Sequence, residues 1–258
     1  MEFAGVDTVQ FERFALILLR VGSMLFSAPL IGSPVVPPAV RVGLAAAVSL
    51  ALLPTVGATV LLKEVSFYQL AGLAAGEVML GLAVGTLARL FLAAVELGAE
   101  AVGFQMGFGI ATAVDPSTQI HTALLAQFQS AVTALLFLAS DAHYHIFRAI
   151  ADSFGRVSLM GIHPSHDLYV LFLRVSRDVF VIAVQFAAPP TAVLLLTSLA
   201  LGIVARTVPQ MNIFIVGISV QVAVGLGVLL LSVSMMGVLY GQIFAAMGES
   251  VMRLVRSF

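Results

Sequence analysis

From Thr207 to Gly248 the chain runs 42 residues without an Asp, Glu, Lys or Arg. As one helix that run is ~63 Å long at ~1.5 Å per residue, about twice the ~30 Å hydrocarbon core of a bilayer. It must therefore be either a hairpin or a helix that continues beyond the membrane into a protein partner. The run opens on a polar island, Arg206-Thr207-Val208-Pro209-Gln210-Met211-Asn212. Polar groups beside so apolar a stretch need partners for their donors and acceptors. Such a pattern suits assembly and passage across a membrane better than soluble catalysis.

The rest of the chain agrees. Sixty per cent of the residues are hydrophobic, only 10% are charged and mean hydropathy is +1.10. A water-soluble domain of this size has no use for so much apolar surface. The expected fold is an all-α membrane protein of about six long, kinked hydrophobic helices arranged as hairpins, forming one membrane domain over residues 1–258. A net charge of −1 argues against nucleic-acid binding. With no cysteine, disulfides and thiolate chemistry are excluded. The N-terminal stretch is acidic (Glu2, Asp7, Glu12) and lacks the basic start of a cleaved signal, so the first helix is expected to remain.

Apolar segments fall at about Phe11–Ile31, Val42–Leu62, Phe67–Glu100, His121–Ser140, Val179–Ala205 and in the long run. The three prolines of Pro34–Pro38 make a loop after the first segment. Pro189-Pro190 removes two helix hydrogen bonds and predicts a kink or break in the fifth. Asp141–Arg177 is the most polar stretch and reads as an interfacial helix plus a loop at Gly161–Pro164. With six crossings and a cytoplasmic N-terminus, eight basic residues lie inside against Arg41 and Arg206 outside. Both termini are then cytoplasmic.

Glycines four apart, Gly72/Gly76 and Gly81/Gly85, allow another helix to approach the third segment closely. Arg89, Glu96 and Glu100 of that segment fall within about 40° on a helical wheel. Two carboxylates one turn apart could share a proton, but a salt-bridge stripe is the plainer reading. Glu77 and Arg20 suggest buried pairing. His143 and His145, two apart, do not match metal-ligand spacing on a helix, and no metal is expected. Phosphate-binding loops and a nucleophile–base pair are also missing, so neither an enzyme nor a cofactor is expected. Read from residues alone, two roles compete: a subunit of a membrane assembly, and a secondary transporter with broken helices, suggested by Pro189-Pro190 with Glu77, Arg89 and Glu96.

Four stretches carry a resemblance. They are Ala205-Arg206-Thr207-Val208-Pro209-Gln210-Met211-Asn212-Ile213-Phe214; Val114-Asp115-Pro116 leading to Leu125-x-Gln127-Phe128; Leu136–His143 followed by Arg148 and Ser153-Phe154; and Arg41-Val42-x-Leu44-Ala45 leading to Leu53-Pro54. In order and spacing they resemble the FliR family of flagellar export-gate proteins, which has a counterpart in virulence secretion. One departure stands out. Where that family usually has Gly-x-Pro-x-Lys after Asn-x-Phe, this chain has Gly217-Ile218-Ser219-Val220-Gln221, which predicts a straighter last helix.

The resemblance implies a channel-forming subunit of the flagellar type III protein export gate, passing unfolded export substrates across the bacterial inner membrane at the flagellar basal body. It implies FliP-like and FliQ-like membrane partners, further export-apparatus membrane proteins and contact with lipid. Residues of about 1–177 would be the FliP-like part, and about 178–258 the FliQ-like hairpin. By the same resemblance, Gly103, Met106, Gly107, Phe108, Gly109, Ile110 and Val114 would form a plug, with Met106, Phe108 and Ile110 as the seal. Arg206, Pro209, Gln210, Asn212 and Phe214 would form a polar assembly motif at the constriction. From the residues themselves, apart from the resemblance, Glu77, Arg89, Glu96 and Glu100 are expected to form a buried charge stripe.

Overall fold

The computed structural model describes residues 8–57, 66–108, 120–157, 166–208 and 212–258, and among these there is no strand. The helices are α1 (Thr8–Ser27), α2 (Pro38–Gly57), α3 (Phe67–Gln105), α4 (Ile120–Ala139), α5 (Ala142–Arg156), α6 (His166–Thr207) and α7 (Ile213–Arg256). Among the described residues three helices, α2, α3 and α6, are long and apolar enough to cross a membrane.

The turn between α1 and α2 shows how the proline-rich loop is held. Leu30 takes a left-handed φ of 65°. A side chain at Gly32 would strike the Phe26 carbonyl at 2.4 Å, so only glycine lets the chain fold back there. Arg41, in the first turn of α2, donates from Nη2 to the Ser33 carbonyl at 2.6 Å and the Val36 carbonyl at 2.7 Å. Its guanidinium also lies over the Phe26 ring, 5.5 Å from the centroid. Pro38 opens α2, where a missing N–H costs nothing.

The 42-residue α6 passes through Pro189 and Pro190 without interruption. Of the kink or break expected there, the break does not occur. Two missing hydrogen bonds are not enough to end a helix with 23 residues before them and 17 after, inside apolar surroundings where an unpaired backbone is worse than a weakened helix. The last run is likewise one helix and no hairpin: α7 spans 44 residues, about 66 Å at ~1.5 Å per residue. It continues through Ser219 and Gln221 without interruption. The loop expected at Gly161–Pro164 lies outside the described residues.

The chain divides into two compact units, and the longest helices contribute to both. The first comprises Met1–Leu90, Asp141–Ser176 and Ala245–Phe258; the second comprises Phe91–Ser140 and Arg177–Phe244. In the first unit, Gly81 and Gly85 fit against α1 so tightly that a Cβ would lie 2.0 Å from the hydroxyls of Ser23 and Ser27. That is the close crossing expected from the glycine spacing, and it identifies α1 as the partner; Gly72 faces open space. The amphipathic α5 buries Ile146, Ala149, Ile150 and Phe154 while Arg148 and Arg156 stay exposed. In the second unit, Gly98 admits α6, since a Cβ there would meet the Ala183 carbonyl at 2.7 Å. Phe137, Tyr240 and Phe244 stack in its core, with Phe137 and Phe244 edge to face at 5.5 Å.

Candidate functional site: polar centres and the end of helix α3

The most buried polar feature is centred on Arg20. Its side chain is 0% exposed and that of Glu77 is 1%. The guanidinium pairs with the carboxylate in a fork: Nε donates to Oε2 and Nη2 donates to Oε1 at 2.9 Å. Two of the three remaining N–H donors are also used. Nη1 donates to Ser153 Oγ at 3.0 Å and Nη2 to the Val157 carbonyl at 3.4 Å. The ring of Phe154 covers the guanidinium at 4.3 Å. One cation thus ties α1 to α3 and α5. Burying an ion pair is tolerable only when its hydrogen bonds are satisfied like this.

The expected buried charge stripe is not one within this chain. Glu77 is buried, whereas Arg89 and Glu100 are exposed. Glu96 is half-buried and accepts a hydrogen bond from Ser130 Oγ at 2.6 Å. The reason is angular: Glu77 faces α1, and the other three lie together on another side of α3. Among the described residues no group of three metal-ligating side chains comes together.

At the end of α3 the apolar stretch is anchored. Gly107 takes φ +93°, a turn that glycine allows. Met106 is fully buried with Val102, Ala187 and Leu194, and Phe108, Val222, Val224 and Leu229 pack on this cluster. Met106 lies in a notch at Gly225 of α7, where a Cβ would come within 2.8 Å of its sulfur. Gly103 is buried too. Met106 is thus packed against α7 within this chain. Gly109, Ile110 and Val114 lie outside the described residues.

The polar island is partly described. Arg206 sits exposed in the last turn of α6, where a cation favours the helix dipole. No carboxylate among the described residues pairs with it. Asn212 caps α7, with Oδ1 accepting from the Ile215 amide at 3.4 Å. Phe214 falls in the first turn of α7. Pro209 and Gln210 lie outside the described residues.

Two polar links escape a reading by sequence. Gln221 Nε2 donates to Ser198 Oγ at 2.9 Å, joining α7 to α6. Gln129 Nε2 donates to the Tyr240 hydroxyl at 2.6 Å, and that hydroxyl lies 2.8 Å from Thr133 Oγ1. Thr133 itself donates to the Gln129 carbonyl at 2.7 Å, so Tyr240 must donate to Thr133 and every hydroxyl proton is used. The signal available was a polar pair four apart, Gln129 and Thr133, on one face of α4.

Many large side chains remain uncovered: Leu195, Leu196, Leu199 and Ile203 on α6, and Leu230 and Leu231 on α7. An all-helical membrane protein with satisfied polar centres and apolar outer faces is the class that fold and site define. The family described as bacterial export proteins, family 1, matches residues 11–247, and the chain belongs to it. It is similar to flagellar biosynthetic protein FliR of Bacillus subtilis, 34% identical with 95% of each chain covered. The flagellar biosynthetic proteins FliR of Aquifex aeolicus (98% of this chain, 99% of the relative) and Escherichia coli (82% and 80%) are each 30% identical.

Proposed function

We propose that the chain is a channel-forming subunit of the flagellar type III protein export gate, passing unfolded export substrates across the bacterial inner membrane. The observation that carries this is the family match along nearly the whole chain, to relatives named for flagellar biosynthesis. The geometry supports an assembled role. In α2 only 17% of the apolar window is buried, and in α6 33%, against 56% in α3. The uncovered faces call for lipid or for neighbouring subunits. FliP-like and FliQ-like membrane proteins are the proposed neighbours, with residues of about 1–177 corresponding to the first and about 178–258 to the second. Other export-apparatus membrane proteins complete the surroundings.

Within that assembly the stretch after Gly107 is the proposed plug, held at its base by Met106 and Phe108. Arg206, which pairs with no carboxylate among the described residues, is the proposed donor to an acidic or carbonyl group of another subunit. No catalytic step is assigned to the chain. The transporter alternative loses its main support, since α6 is unbroken at Pro189-Pro190.

Co-purification from membranes followed by mass determination tests the proposal. A complex with two further hydrophobic proteins is expected; a solitary or homo-oligomeric species overturns it. Both termini are proposed to be cytoplasmic. The chain has no cysteine, so single cysteines placed at either end report their side by labelling from outside whole cells.

A further inference from the structure

Two clefts in the first unit share Arg253 and Arg256. The larger, about 570 Å³, is also lined by His145, Arg148 and Glu249. The smaller, about 280 Å³, is also lined by Asp167, Val170, Leu171 and Arg174. Four arginines from α5, α6 and α7 thus meet two carboxylates, an excess of two positive charges. Little within the chain neutralises them. Arg253 reaches Glu249 at 3.4 Å and Arg148 reaches Asp152 at 3.9 Å, both at exposed positions where ion pairs are weak. Among the described residues no carboxylate pairs with Arg174 or Arg256. Gly248 keeps the larger cleft in shape: the His145 ring lies where its side chain would be, 3.0 Å from a Cβ.

The surroundings are those of a membrane–water boundary. Tyr144 and Tyr169, neighbours of the lining residues His145 and Val170, are 61% and 62% exposed. Amphipathic rings of this kind collect at headgroup level. Val170 and Leu173 expose apolar surface on the same helix as Arg174. A ligand that fits has an anionic head for the arginines and hydrocarbon for the adjoining α6 surface. We propose that these paired clefts bind the phosphate of an anionic phospholipid, with Arg253 and Arg256 as shared ligands and its acyl chains along Val170 and Leu173. The inference rests on membrane location alone and stands apart from the export role.

The full-length protein, released in mild detergent with whatever subunits accompany it, is exchanged into nanodiscs of mixed phosphatidylglycerol and phosphatidylcholine. Retained lipid is then counted by native mass spectrometry. Phosphatidylglycerol is expected to be enriched. The double variant Arg253→Gln/Arg256→Gln should lower its retention by roughly tenfold or more, since each arginine near a bilayer surface contributes roughly a fivefold preference for anionic lipid. Arg253→Lys/Arg256→Lys should keep most of it, and Arg177→Gln, outside the clefts, should change nothing. If the double variant does not fold, as judged by helical circular dichroism, the exposed Arg174→Gln should still give a smaller drop. Unchanged retention in folded glutamine variants overturns the proposal, as does equal retention of phosphatidylcholine. Displacement of the lipid by millimolar inorganic phosphate would make this a free-phosphate site. Loss of an accompanying acidic protein with lipid retention intact would make it a protein interface. Either outcome also overturns it.

Discussion

The two units solve the same problem, polar groups inside an apolar protein, by different means. The first buries a full charge pair, Arg20 with Glu77, and surrounds it with Ser153, the Val157 carbonyl and Phe154. The second buries neutral groups, Gln129, Thr133 and Tyr240, in a closed set of hydrogen bonds. The charged centre makes each partner indispensable, because removing one leaves the other uncompensated. The neutral centre degrades gradually, one hydrogen bond at a time. Both units carry uncovered apolar faces, α2 in the first and α6 and α7 in the second, so both should draw stability from what surrounds them.

The largest expected effect tests the charged centre. Glu77→Ala should cost about 3–5 kcal/mol by stranding Arg20, seen as loss of folded protein in detergent melting curves. Arg20→Met with Glu77→Leu should recover most of that, since an apolar pair of similar volume removes the stranded charge. Recovery no better than the single variant would show that the pair does more than satisfy itself.

Next comes the helix crossing beside it. Gly85→Val would drive a side chain into Ser27 and the Met24 carbonyl, which lies 2.6 Å from a Cβ. A loss of about 1–3 kcal/mol is expected from overpacking, while Gly72→Ala, in open space, should be neutral in the same melts. The neutral centre should respond to a similar degree. Tyr240→Phe removes two hydrogen bonds and should cost about 1–3 kcal/mol, because Gln129 and Thr133 are left buried. Smallest of all, Gln221→Leu should cost about 0.5–1.5 kcal/mol by cutting the link to Ser198, read as a small fall in melting temperature. A loss for Tyr240→Phe as large as that for Glu77→Ala would erase the distinction between the units.

Much of the first unit was legible in the sequence. Arg20 and Glu77 are conspicuous in apolar segments, and opposite charges there have few alternatives to each other. The spacing of Gly81 and Gly85 announces a close neighbour, though not which helix supplies it. The sequence did not reveal the continuity of α6, because proline rules describe isolated helices and not one braced along its length. Nor did it reveal the packing of Met106, since nothing in the local sequence points to the notch at Gly225, 119 residues away. Tyr240 was hidden because its partners lie 107 and 111 residues away. Gln221, noted as a departure from the usual lysine, acquires a purpose only once Ser198 is seen opposite it.

The Arg20–Glu77 pair has a consequence for how the protein is made. The two residues are separated by 57 positions, so at about 5–20 residues per second the ribosome delivers the acid roughly 3–11 s after the base. Throughout that delay the newborn first helix holds a cation with no counterion of its own. Its packing stays provisional until the third helix is synthesised and the pair closes.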